Sequence, residues 1–100
     1  MKKAYVIAEI QVTNPAVYAD YLPLSTASLA QYGGTFLVRG GQRDQKEGDD
    51  DAHDAGWRTV IAEFASMEQA QAWYNSVEYE TARPIRIANS VGRLFIVEGV

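Results

Sequence analysis

The chain has no cysteine, a single histidine and three prolines in 100 residues, and no apolar stretch of membrane-spanning length. Without cysteine there is neither a disulfide framework nor thiolate chemistry. The one histidine, His53, stands between Asp51 and Asp54 with no hydrophobic anchor nearby. A general base needs a fixed partner and a closed site, so His53 reads as a solvated side chain. The run Asp49-Asp50-Asp51 lacks the alternating spacing and closing glutamate of a calcium loop, so no metal site is expected. The first apolar run stops at Glu9, too short for a signal-peptide core or a membrane span, and a cytoplasmic protein is expected. Net positive charge is also missing. The net charge of -4 falls entirely within residues 42–56, where Asp44, Glu47, Asp49, Asp50, Asp51 and Asp54 face only Arg43 and Lys46. The rest of the chain is balanced and offers no basic stripe, which argues against nucleic-acid binding. The pairs Gly33-Gly34 and Gly40-Gly41 lack the Lys-Ser or Lys-Thr of a phosphate loop, and no serine has a histidine and an acid at motif spacing.

What is present fits one domain. Hydrophobic residues make up 47% of the chain, enough for a two-layer core but not for a large internal pocket within one subunit. Tyr5 to Val12 alternates with a period of two, which predicts a strand. Asn14-Pro15 reads as a helix cap followed by the first helical residue. Tyr18, Tyr21, Leu22, Ser25, Leu29 and Tyr32 recur at helical spacing, with a break expected at Pro23. Gly33 is the expected left-handed terminator. Thr35 to Gly40 predicts a second strand, which carries one charge, Arg39. Trp57 to Phe64 alternates as the first strand does. Ser66-Met67-Glu68-Gln69 is a capping-box pattern that opens a second helical region. That region weakens at Asn75-Ser76, bends at Pro84 and ends at Gly92, and Leu94 to Glu98 predicts the last strand.

The order β-α-β-β-α-β predicts an α+β, ferredoxin-like fold: an antiparallel four-stranded sheet with two kinked helices on one face. Val6, Ala8, Ile10, Val60, Ala62 and Phe64 would form the core beneath the helices. The opposite face would carry Tyr5, Ile7, Gln11, Trp57, Thr59 and Ile61, with Glu9 and Glu63 among them. That face is too apolar for an ordinary solvated sheet face, and a second copy packed sheet to sheet is the simplest cover. Glu9 and Glu63 would then approach a space of low dielectric. They would serve either as a titratable carboxylate in a polar cavity or as members of satisfied ion pairs with Arg39, Arg86 or Arg93. The aromatic cluster of Trp73, Tyr74 and Tyr79 either pins a kinked helix to the sheet or lines a pocket beside it.

Several groups of residues taken together resemble a known family. These are Tyr32-Gly33-Gly34 with Phe36-Leu37-Val38-Arg39-Gly40-Gly41, Glu63-Phe64 with Ser66, Trp73-Tyr74-x-Ser76-x-Glu78-Tyr79, Arg86 and Val97-Glu98-Gly99. They resemble the small bacterial proteins grouped as domain of unknown function 1330, in the dimeric α/β-barrel superfamily. The resemblance implies a ferredoxin-like subunit whose sheet packs on its twin to form a barrel. It implies no reaction, because the family has none assigned. Related members of the superfamily include cofactor-free monooxygenases, muconolactone-type isomerases and heme-binding enzymes, with sites between helices and sheet. A heme would need a histidine on a structured element, and no cofactor is expected here. The acidic insertion between Gly48-Asp49 and Trp57 departs from the family's approach to the third strand. The expected site is a helix–sheet cleft near Arg39, Glu63, Trp73 and Tyr79, with Glu9 as a further candidate. It would take a small organic molecule; the alternative is a non-catalytic dimeric interaction module.

Overall fold

The computed structural model describes residues 1–48 and 57–100. His53 and the aspartate run therefore lie outside the described residues. Four strands, β1 (Ala4–Val12), β2 (Thr35–Arg39), β3 (Trp57–Phe64) and β4 (Ser90–Glu98), form one sheet in the order β2-β3-β1-β4, with every neighbouring pair antiparallel. This is the ferredoxin-like arrangement expected from the element order. The period of two sends Ala4, Val6, Ala8 and Ile10 of β1, and Ala62 and Phe64 of β3, beneath the helices, where all are buried.

Two helical arms cover that face: α1 (Pro15–Tyr18) with α2 (Tyr21–Gln31), and α3 (Met67–Tyr74) with α4 (Val77–Glu80) and α5 (Arg83–Ala88). Asn14 caps α1 by accepting from the Val17 amide, with Pro15 in the first turn as expected. The first arm breaks upstream of Pro23, between Tyr18 and Tyr21, rather than at the proline itself. A helical proline collides with the carbonyl four residues earlier, here that of Ala19. Breaking the helix there leaves Pro23 in the first turn of α2, where backbone amides have no helical partner. Pro84 behaves in the same way: α4 stops at Glu80, four residues earlier, and Pro84 falls in the first turn of α5. The weakness at Asn75-Ser76 is a genuine junction. Ser76 donates to the Trp73 carbonyl at 2.7 Å and caps α4 by accepting from the Tyr79 amide at 3.1 Å.

Gly33 ends α2 with φ of 75°, and the Gly33 and Gly34 amides return to the Ala30 and Leu29 carbonyls at 3.1 and 2.9 Å. Both bonds of a Schellman stop are thus present. The last strand begins at Ser90, four residues before its expected start, and Gly92 stands inside it rather than ending the helical arm. Gly92, at φ of 137°, lies opposite Ile10, and a Cβ there would collide with the Glu9 carbonyl. The Asn89 carbonyl accepts from the Thr13 amide at 2.9 Å and ties the end of the second arm to the end of β1.

Strand β2 contains a bulge. Phe36 lies opposite Ala62, but Val38 lies opposite Ile61 and Arg39 opposite Val60, so Leu37 is the extra residue. A bulge reverses the alternation beyond it. Phe36 and Arg39 consequently share the helix-covered face, and Val38 turns to the uncovered one. On that uncovered face the register aligns Val38, Ile61, Ile7 and Phe95 in one row across all four strands. Phe95 and Val97 are each 43% exposed. Among the described residues, no helix is long and apolar enough to cross a membrane.

Gly92→Ala should destabilise the fold by about 1–3 kcal/mol, the usual cost of a strained backbone conformation, with the steric collision added. Gly41→Ala, where an added Cβ meets nothing within 4 Å, should be close to neutral. Urea unfolding followed by circular dichroism measures both.

Candidate functional site

A cleft of about 310 Å³ lies between the helical arms and the sheet. Its floor comes from β1 and β3, where Ala8 and Ala62 stand on the two central strands. Small side chains at the centre of a floor leave a hollow that leucine or phenylalanine would fill. Tyr18 of α1, Tyr21, Leu22, Ser25 and Leu29 of α2, and Trp73 of α3 form the walls and roof. The Trp73 indole is 2% exposed and held in place, with its Nε1 donating to Ser28 Oγ at 3.1 Å.

Three arginines enter the cleft, each from a different element. Arg39 arrives by way of the bulge. Its guanidinium lies 4.4 Å from the centre of the Phe36 ring and donates to Thr26 Oγ1 at 2.8 Å. Arg58 has the same parity as Val60 and Ala62, lies opposite Ile10, and approaches the Tyr18 ring at 6.0 Å. Arg86, from α5, is 9% exposed. Its Nε donates to the Tyr79 hydroxyl at 3.2 Å, and that hydroxyl lies 2.7 Å from the Tyr21 hydroxyl. Among the described residues, no aspartate or glutamate lines the cleft. Among the described residues, the ion pairs are Lys3–Glu63, Lys46–Asp44 and Arg93–Glu9, and none involves Arg39, Arg58 or Arg86.

The tyrosines add no negative charge. Burial raises the pKa of Tyr79 well above the ordinary phenol value, and its bond with Tyr21 acts in the same direction, while Arg86 opposes both. Burial likewise raises Tyr21 and Tyr18, against the lowering influence of Ser25 on Tyr21 and of Arg58 on Tyr18. At neutral pH the cleft therefore presents neutral hydroxyls, guanidinium groups and apolar walls. Such a set can hold an acceptor or a negative charge, and among the described residues it contains no carboxylate to serve as a base.

The expected site residues separate between the two faces. Arg39 and Trp73 line the cleft, and Tyr79, fully buried, stands behind it against Trp73 with ring centres 4.2 Å apart. Glu9 and Glu63 lie on the opposite face and are not brought to the cleft. Glu9 is opposite Thr59 and Glu63 opposite Tyr5, so the two carboxylates do not meet. Arg93 holds Glu9 with bonds of 2.8 and 3.2 Å, and Lys3 holds Glu63 at 3.3 Å. Arg58, Tyr18, Tyr21 and Ser25 were not among the expected site residues. The parity of Arg58 was a readable signal, since it follows from that of Val60. Among the described residues, no group of three or more histidines, aspartates or glutamates could hold a metal ion.

The family model for the domain of unknown function DUF1330 matches residues 3–100, and the chain belongs to that family. No curated protein matches the chain. Among solved structures, the RPA0582 protein of unknown function from Rhodopseudomonas palustris is similar at 20% identity and TM-score 0.76, covering 99% of this chain and 83% of that one. SnoaB, a cofactor-independent oxygenase from Streptomyces nogalater, is similar at 14% identity and TM-score 0.65, covering 100% and 95%. A dimeric protein of unknown function with a ferredoxin-like fold from Bacteroides fragilis is similar at 11% identity and TM-score 0.64, covering 97% and 96%. At these identities the likeness is one of fold.

Buried tyrosines give the cleft an alkaline signature. A hydroxyl whose folded pKa exceeds its unfolded value of about 10 keeps its proton where the unfolded chain loses it. The corresponding stability is complete below about pH 10 and drains away as pH rises further. Tyr79→Phe should lower stability at pH 8 by about 1–3 kcal/mol, because Arg86 Nε loses its acceptor. The same variant should weaken the alkaline decline. Urea unfolding across this pH range checks both effects.

Proposed function

We propose that this DUF1330 protein binds a small organic molecule in the helix–sheet cleft, as a homodimer joined through the uncovered sheet face. The observation that carries the binding reading is the pocket itself: apolar walls with a few convergent polar groups from separate elements. Its volume of about 310 Å³ is at the lower end of the range typical of small-molecule sites, roughly 300–1,000 Å³. Arg39 and Trp73 would contact the ligand, and Tyr79 would fix Arg86 and Trp73 from behind. Glu9 and Glu63 would take no part, since they are engaged on the other side of the sheet. SnoaB is a cofactor-independent oxygenase, so this fold has hosted oxygenase chemistry. That is support by fold alone and transfers no reaction.

The dimer reading rests on the row Val38, Ile61, Ile7 and Phe95. Fully burying an isoleucine or phenylalanine side chain contributes about 1.5–3 kcal/mol, and these residues have area left to bury. A two-fold arrangement would lay one row against its copy. The dimeric relative from Bacteroides fragilis has the same fold and supports this assembly.

A thermal-shift screen of metabolites should find compounds that raise the melting temperature of the wild-type protein. Val60→Phe, which fills the cleft, should abolish the shift, and Glu63→Gln should leave it unchanged. If no compound shifts the wild type, the non-catalytic interaction module is the better reading. Light scattering should give a mass twice the 11.1 kDa of the chain, and Phe95→Glu should return it to a monomer.

A further inference from the structure

We infer that the ligand of this cleft is an organic acid, with its carboxylate on Arg86 and an apolar body lying over the alanine floor. This rests on the cleft being a small-molecule site and adds the chemical class of the occupant.

Arg86 is more than nine-tenths buried, and its charge has no counter-charge among the described residues. A buried charge left unpaired is costly and is ordinarily paired with an opposite charge or a metal. Here its neighbour is Tyr79, a neutral hydroxyl that occupies Nε. The two terminal nitrogens make no hydrogen bond within the described residues, yet no buried side-chain nitrogen or oxygen of those residues is left unsatisfied. Those nitrogens therefore open onto the cleft that Arg86 lines. They form the half of a guanidinium fork that fits a carboxylate with two parallel bonds.

Arg58 and Arg39 reinforce the preference. Both lie on the cleft side of the sheet, and no ion pair among the described residues engages either. Three positive groups, with no negative one among the described residues that line the cleft, give a field that favours an anion entering a space walled by apolar groups. Those walls also exclude a bare inorganic ion as the best occupant. Beyond the guanidinium groups lie Ala8, Val60, Ala62, Leu29 and Phe36, which contact a hydrocarbon or an aromatic ring and offer nothing to a hydrated ion. Tyr21 extends the polar end, with its hydroxyl bonded to that of Tyr79.

The experiment is calorimetric titration of the full chain with 4-phenylbutanoate, its neutral isostere 4-phenylbutanamide, and inorganic phosphate. The acid should bind at least tenfold more tightly than the amide, and its affinity should fall with added salt while that of the amide does not. Phosphate should bind more weakly than the acid. Arg86→Met should erase the difference between acid and amide while keeping the amide affinity. The variant should fold, because replacing an unpaired buried charge with an apolar side chain of similar length removes a desolvation penalty. If it does not fold, the acid–amide ratio and its salt dependence in the wild type decide the question, with Arg39→Met as the second variant. Equal binding of acid and amide would overturn the organic-acid reading and leave the small-molecule site standing. So would uncharged metabolites shifting the melting temperature where the acid does not bind. Phosphate binding as tightly as the acid would overturn the role of the apolar body. Failure of every compound, charged or neutral, would remove the site as well as the ligand class.

Discussion

Antiparallel pairing of β1 with β3 is the constraint from which the rest follows. Ala4 lies opposite Phe64 and Ile10 opposite Arg58, so even-numbered residues on both strands face the helices and odd-numbered residues face away. A slip of one residue would exchange the faces and bury Glu9 and Glu63 beneath the helices. The actual register keeps both carboxylates at the other surface, each beside a cation. It also determines which charges the cleft receives. Arg58 reaches it because 58 has the parity of 60 and 62. The cleft is cationic because β3 delivers Arg58 to that face, β2 and α5 add Arg39 and Arg86, and the glutamates of both central strands face away.

That segregation has an energetic consequence. Among the described residues Arg86 has no counter-charge, and replacing a buried charge with methionine or leucine is often neutral or stabilising. Natural sequences retain such an arrangement where function requires it, and proteins rarely stand at their stability optimum. Tyr79 and Tyr21 lower the cost without removing it: a neutral hydroxyl satisfies one donor but does not neutralise the charge. Trp73, pinned through Ser28, keeps the opposite wall in place, so the cleft stays open instead of collapsing onto the guanidinium. An alanine floor with a held roof is what prevents ordinary core packing from closing the space.

Much of this was legible in the sequence because alternation and capping are local signals. The period of two in Tyr5–Val12 and Trp57–Phe64 revealed both faces of the central strands, and with them the apolar uncovered side. Asn14-Pro15, Ser66 and Gly33 marked element ends through chemistry confined to a few residues. The positions of the helix breaks were harder to read. A proline acts on the carbonyl four residues before it, so the breaks appear near Ala19 and Glu80 instead of at Pro23 and Pro84. Gly92 reads as a stop in sequence, but its role is a close approach to the Glu9 carbonyl on the neighbouring strand, a long-range fact. The cleft was legible only in part. Trp73 and Tyr79 stood out as aromatics, while the convergence of Tyr18, Tyr21 and Arg86 depends on how the broken arms pack.

The bulge in β2 lies between Phe36 and Val38, ahead of the Gly40-Gly41 pair, and it affects both faces at once. A strict alternation through Phe36-Leu37-Val38-Arg39 would put Arg39 on the side opposite Phe36, away from the cleft where it is expected. Inserting Leu37 as an unpaired residue reverses the second half. Arg39 joins the cleft, and Val38 completes the row with Ile61, Ile7 and Phe95. Without the bulge the uncovered face would carry a guanidinium at its edge, and a sheet-to-sheet contact there would have to desolvate it. The same irregularity therefore adds a cation where an anion would be held and removes one where two apolar faces would meet. Gly40, at φ of 74° and with its amide on the Thr59 carbonyl at 2.9 Å, ends the strand immediately after the arginine. The reversal is thus confined to the two residues that need it, Val38 and Arg39.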